Sequence, residues 1–157
     1  MEQKRVDAMK LKNQVCFPLY AASREVIKRY KPFLDELDLT YTQYIALMLL
    51  WEHKTLTVKE LGECLYLDSG TLTPLLKKLE AKGLILRARS KKDERNLNVT
   101  ITEKGDAMHE KATLLACDQK GENPLSMEES ATLYRLLYKM LGKEDVEFPD
   151  WVKLDDL

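Results

Sequence analysis

The chain has 157 residues, 45% of them apolar, which is enough for one domain with a core of its own. Its formal net charge is −1, so no global basic surplus marks it as a nucleic-acid binder. The longest apolar run, residues 44–51, falls far short of the about 20 residues of a membrane span, and residues 1–14 lack the apolar stretch of a signal peptide.

A protein of the cytoplasm, away from membranes, is expected. Three widely spaced cysteines, an odd number, fit free thiols in a reducing compartment better than a disulfide framework. With His53 and His109 as the two histidines, nothing has metal-ligand spacing, so neither metal nor cofactor is expected.

Residues 9–30 read as one long amphipathic helix, closed by Lys31-Pro32. Pro18 falls inside it, removes a bond to the Gln14 carbonyl and predicts a bend beside Cys16. Thr40 and Gln43 are spaced as a capping box opening a helix through Glu52, and Thr57 and Glu60 as a second one opening a short helix to about Leu65. Cys64, between Leu61 and Leu65, reads as a core residue. Tyr66-Leu67-Asp68 is a tight connection to the next helix, where Leu72, Leu75, Leu76 and Leu79 form one apolar face. Pro74 places the start of that helix near Thr71, so that its missing N–H falls in the first turn. Gly83 stops the helix, and two strand-like runs, residues 84–89 and 97–102, flank the turn SKKDERN. Residues 102–121 read as a helix weakened by Gly105, and Ser126 with Glu129 caps a last one ending at Gly142. The fold class is therefore mainly α with a small β-hairpin: a winged helix-turn-helix over residues 41–102, flanked by helices in 9–38 and 103–142, with an acidic tail over 143–157.

The charge is segregated. Residues 77–95 hold eight cations against three acids, whereas residues 144–157 hold six acids against one lysine. The basic block coincides with the second helix of the motif and the hairpin, which suits a helix in the major groove of duplex DNA with the hairpin beside it. Ser69, Thr71, Thr73, Lys77 and Lys78 are the candidates for base edges and adjacent phosphates. Lys91, Lys92 and Arg95 sit at the hairpin tip, where a cation can enter the minor groove. Asp93 is placed to pair with Arg95 and orient it, and Arg87 and Arg89 to hold the backbone. Each of these cations reads equally as an ordinary solvated charge.

Over residues 9–141 the chain resembles the MarR family of bacterial transcription regulators. The segments NQVCFPLYAASREVIKRYKPFLDELDLTYTQYIALMLLWE, TLTVKELGECLYLDSGTLTPLLKKLE and KKDERN resemble its organic hydroperoxide resistance group, and Asp93-Glu94-Arg95 is the wing motif common to the broader family. The resemblance implies an obligate homodimer assembled by the terminal helices, a palindromic operator and repression. It also implies a redox-sensing cysteine, here Cys16, hydrogen-bonded by two tyrosines of the partner subunit that match Tyr30 and Tyr41.

Spacing adds Tyr20. Cys16, Tyr20, Ser23, Ile27 and Tyr30 form one helical stripe, but Tyr30 lies about 21 Å along it from Cys16, so the two cannot touch within one straight helix and could meet if a second copy packed antiparallel. Phenolic donors would favour a thiolate, the form that attacks a peroxide. On spacing alone Cys16 reads first as a small core cysteine packed among aromatics; the resemblance reverses that order. Some members resolve the oxidised cysteine with a second one towards the C-terminus, for which Cys117 is the candidate, and others through a small cellular thiol in a mixed disulfide. Three functions stay open: a repressor that senses organic hydroperoxides, a regulator released by a small aromatic ligand with Cys16 structural, and a thiol peroxidase. The wing has no use in the last, so an enzyme is not expected.

Overall fold

The computed structural model describes residues 9–89, 97–118, 124–143 and 149–152. Side-chain caps start the helices much as the spacing predicts. The Thr40 hydroxyl oxygen accepts a hydrogen bond from the Gln43 N–H (3.3 Å) and Gln43 Oε1 accepts one from the Thr40 N–H (3.0 Å), opening α3, Tyr41–His53. This exchange lets the Gln43 amide sit buried. Thr57 and Glu60 repeat the box at α4, Val58–Leu65. Asp68 accepts from the Thr71 N–H at 2.8 Å and opens α5, Ser69–Ala81.

Between α4 and α5 the chain turns at Tyr66, which has a left-handed φ of 54° and hydrogen-bonds back to Gly62. A Cβ at Gly62 would stand 3.0 Å from the Leu67 carbonyl oxygen, so the turn closes tightly on a residue without a side chain. In α5 the apolar stripe Leu72, Leu75, Leu76 and Leu79 is buried as expected. It packs with Leu47 and Leu50 of α3, Leu61 of α4, and Ile85 and Val99 of the sheet into one core.

The hairpin strands β2, Ile85–Arg89, and β3, Leu97–Ile101, pair antiparallel from Ile85 with Ile101 to Arg89 with Leu97. A third strand, β1 at Thr55–Thr57, is absent from the sequence reading and lies on the other edge of β3, giving the order β1-β3-β2. Three residues, the last of them the first residue of a capping box, carry too little periodicity to show as a strand. The Thr55 and Thr100 hydroxyls tie it at 3.0 Å.

Before α3 stand α1, Cys16–Arg29, and α2, Lys31–Glu36. The expected single helix from residue 9 is thus shorter: Leu11–Asn13 is a separate 3-10 turn, and α1 begins at Cys16. The bend predicted beside Cys16 gives way to a helix start. Pro18 is the third helical residue, where its missing N–H is one that no helix would satisfy. Pro74 goes the other way. Because Asp68 caps the helix, α5 starts two residues before Thr71, and Pro74 lies inside it, leaving the Gly70 carbonyl without its helical donor.

After the sheet runs α6, Glu103–Asp118. Gly105 is required there, because a Cβ would run into the Leu84 carbonyl oxygen and stand 2.9 Å from Ile101 Cγ1. The Trp51 indole N–H donates to its carbonyl oxygen at 2.9 Å, fixing α3 to the first turn of α6. Cys64 is a further correction: it is exposed on α4. In that short amphipathic helix Leu61 takes the core-facing position and Cys64 lies off the apolar stripe.

Residues 1–119 form one compact unit and residues 120–157 another. The second holds α7, Met127–Met140, opened by a capping box of Ser126 with Glu129, and a 3-10 turn at Asp150–Val152 that packs on it. Among the described residues no helix is long and apolar enough to cross a membrane.

Candidate nucleic-acid interface and thiol site

Burying the leucine stripe turns the opposite side of α5 outward. Ser69, Thr71, Thr73, Lys77 and Lys78 are all exposed. Thr71 is engaged in the cap, its hydroxyl donating to Asp68 Oδ2 at 3.1 Å. The backbone and hydroxyl hydrogen bonds from Thr71 hold the Asp68 carboxyl below its ordinary range, so it stays charged at the head of α5. Lys78 lines an open cleft with Asp35, Asp38 and Lys82. Ser69, Thr73 and Lys77 are the other exposed polar residues of the outward side.

On β2, Arg89 is exposed. Arg87 is committed within the chain: its Nη2 and Nε donate to Glu80 Oε2 at 2.6 and 3.0 Å. Glu80 escapes the sequence reading, although its spacing of three from Lys77 and seven from Thr73 puts it on their stripe. Lys91, Lys92, Asp93 and Arg95 lie outside the described residues.

The thiol candidates separate along α1. Cys16 is exposed at its first residue, and α1 buries none of its residues. Phe17, Leu19, Tyr20, Val26, Ile27 and Tyr30 form an uncovered apolar surface. The Tyr20 hydroxyl accepts from Arg24 at 3.2 Å, one turn further from Cys16.

At the far end Tyr30 caps α1 and meets Tyr41 edge-on, ring centroids 5.4 Å apart. The two tyrosines singled out by resemblance therefore stand together in one chain. Tyr44, which the sequence reading passes over, joins them at 6.4 Å from Tyr30 and 6.0 Å from Trp51. Its spacing of three from Tyr41 is the available signal. Burial first, and then the neighbouring phenols, raise the Tyr41 and Tyr44 hydroxyls above the ordinary tyrosine range, which itself lies well above neutrality, so both are protonated at neutral pH. Cys117 lies in the last turn of α6, with its side chain outside the described residues. Among the described residues no group of His, Cys, Asp and Glu is arranged to hold a metal ion.

A profile of the transcriptional regulator SarA/Rot family matches residues 28–112. The organic hydroperoxide resistance transcriptional regulator of Bacillus subtilis is 53% identical over 139 residues, 88% of this chain and 95% of that protein. The chain belongs to the organic hydroperoxide resistance group of the MarR family.

Solved MarR-family structures agree with the winged helix. Reduced AbfR bound to DNA superposes with a TM-score of 0.76 at 32% identity, covering 90% of this chain and 97% of that one; AbfR is a Staphylococcus epidermidis protein whose disulfide form superposes at 0.63 with the same coverage. A MarR mutant from E. coli complexed with operator DNA gives 0.69 at 28% identity over 78% and 90% of the two chains. As a MarR-family transcriptional regulator the protein is not an enzyme, and the thiol peroxidase reading falls.

Proposed function

We propose that this regulator is a homodimeric repressor that binds a palindromic operator through α5 and the wing, senses organic hydroperoxides at Cys16 and then releases the duplex. The observation that carries it is the uncovered face of α1, with an exposed thiol at one end and a tyrosine cluster at the other. An antiparallel second copy covers that face and brings Tyr30 and Tyr41 of the partner to each Cys16. The exposed residues Leu133, Leu136, Met140 and Leu141 of the α7 segment are the second surface available for the dimer.

The chemistry follows from the thiolate. Cys16 sulfur attacks one peroxide oxygen, the O–O bond breaks, the organic half leaves as an alcohol after taking a proton, and a sulfenic acid remains. A small cellular thiol, or Cys117 of the other subunit, then forms a disulfide with release of water. Either product is larger than the thiol and loses the tyrosine hydrogen bonds, so the interface repacks. The two recognition helices then leave the about 34 Å spacing of successive major grooves.

The reduced and oxidised states must differ in affinity for release to occur, and a hundredfold difference corresponds to about 2.7 kcal/mol. Titrating a duplex-bound sample with cumene hydroperoxide, with mass analysis of Cys16 at each point, tests the assignment. Duplex release should track Cys16 modification one for one in the wild type and be absent in Cys16→Ser. Release from Cys16→Ser would place the sensor elsewhere.

A further inference from the structure

Glu80 is the one acid aligned with the outward polar face of α5, seven residues after Thr73 and three after Lys77. An unpaired carboxylate there would repel phosphate. Its surroundings show a specific engagement. Oε2 accepts from Arg87 Nε and Nη2, while Oε1 accepts from the Arg87 backbone N–H at 3.1 Å. That N–H lies on β2, an edge strand of the sheet, so the carboxylate holds both backbone and side chain of the residue at the centre of β2. These contacts hold Glu80 below the ordinary carboxylate range, first through the guanidinium hydrogen bonds.

The pair is also the least exposed ion pair among the described residues, with 17% of the Arg87 side chain and 34% of the Glu80 side chain accessible. Each of the other ion pairs found there has a partner more than half exposed. Planar, forked donation of this kind fixes direction as well as distance, which a lysine cannot reproduce.

We propose that Glu80 and Arg87 form a positioning pair that sets the angle of the wing strand to the recognition helix, so that an acid on the outward face of α5 raises duplex affinity. Arg87 then serves the wing through Glu80, and its charge is spent inside the chain. The inference rests on the duplex-binding reading of α5 and the hairpin and is independent of the thiol switch.

Charge and position predict opposite signs. If Glu80 is only a charge, Glu80→Gln removes a repulsive acid and frees Arg87 for phosphate, so affinity and salt slope both rise. If the pair positions the wing, Glu80→Gln weakens binding by about tenfold and lowers the salt slope by about one, as wing cations leave the backbone. Arg87→Lys keeps the net charge and provides a second, independent reading. It too should weaken binding, whereas a charge-only role leaves it unchanged.

The test uses the full-length reduced dimer and an inverted-repeat duplex selected by the wild type from a random-sequence library. It measures affinity against salt, together with a hydroxyl-radical footprint. Both variants should keep central protection and lose protection at the flanks reached by the hairpins. Wild-type affinity with full flank protection in both variants, or tighter binding by Glu80→Gln, overturns the positioning role alone. A wild-type protein that selects and protects no duplex overturns the interface reading and this inference together.

Discussion

At the scale of single residues, Tyr41 is the most informative. A tyrosine hydroxyl is protonated at neutral pH, and burial, then the Tyr30 phenol, raise Tyr41 further, so its contribution to a thiolate in the proposed sensor is donation of a hydrogen bond. Tyr41→Phe and Tyr30→Phe should leave duplex binding by the reduced protein intact and slow the reaction of Cys16 with hydroperoxide, measured by stopped-flow loss of free thiol. An unchanged rate in both would remove the tyrosines from the sensor. Thr73 and Lys77 belong to the proposed duplex interface. Substituting either should change which base is preferred at one position of each half-site, as read by binding to a panel of single-base variants. The expected size is about 1–3 kcal/mol, the worth of one good pairing between a side chain and a base edge. Uniform weakening across the panel would demote that residue to holding phosphate. These residues are legible in the sequence at different depths. Thr73 and Lys77 follow from periodicity, because a leucine stripe defines its own opposite face. Tyr44 and Glu80 do not, because what matters about each is a partner on another element, Tyr30 across a helix junction and Arg87 across a strand.

The elements themselves are legible where a local interaction fixes them. The boxes of Thr40 with Gln43, Thr57 with Glu60 and Ser126 with Glu129 are all present, because a cap is read within four residues. Sequence reasoning fails where two local signals compete. Pro74 alone points to a start of α5 near Thr71, but the Asp68 cap outweighs it. Pro18 reads as interior to a long helix, although α1 starts only two residues earlier. The Gly105 to Leu84 approach is non-local and leaves no trace beyond a glycine in a helix. Gly105→Ala should therefore destabilise by about 1–3 kcal/mol through forced separation of α6 from the sheet, where a helix-propensity argument predicts a gain. Denaturant melts decide the sign.

The caps also set an acid limit. Glu60, Asp68 and Glu80 all have depressed carboxyls, held down chiefly by hydrogen bonds from Thr57, Thr71 and Arg87 respectively. A depressed folded value contributes stability that is present above the ordinary carboxylate range and is lost as pH falls through the folded value. The melting temperature should hold from neutrality to about pH 5 as far as these groups are concerned and drop below about pH 4. Glu60→Gln should show a smaller acid loss than the wild type, and an identical acid profile would contradict the role given to its cap.

For the whole molecule the central claim is that the sensor is built between two chains: the thiol stands at one end of α1 and its tyrosines at the other, about 21 Å away along a helix. That geometry turns the uncovered face of α1 from an oddity into a requirement. On the proposed reading no single chain contains the site, so the dimer is predictable only from a stripe of exposed apolar residues and a resemblance. The most direct measurement is hydroperoxide reactivity in a mixed dimer, isolated by dual affinity tags, that pairs a Cys16→Ser subunit with one carrying Tyr30→Phe and Tyr41→Phe. The intact Cys16 then faces the intact tyrosines of the other subunit. Oxidation of half the sites at the wild-type rate is the predicted result. Oxidation only at the slow rate of the doubly substituted homodimer would mean that the thiol and its tyrosines act within one chain, and would contradict the account.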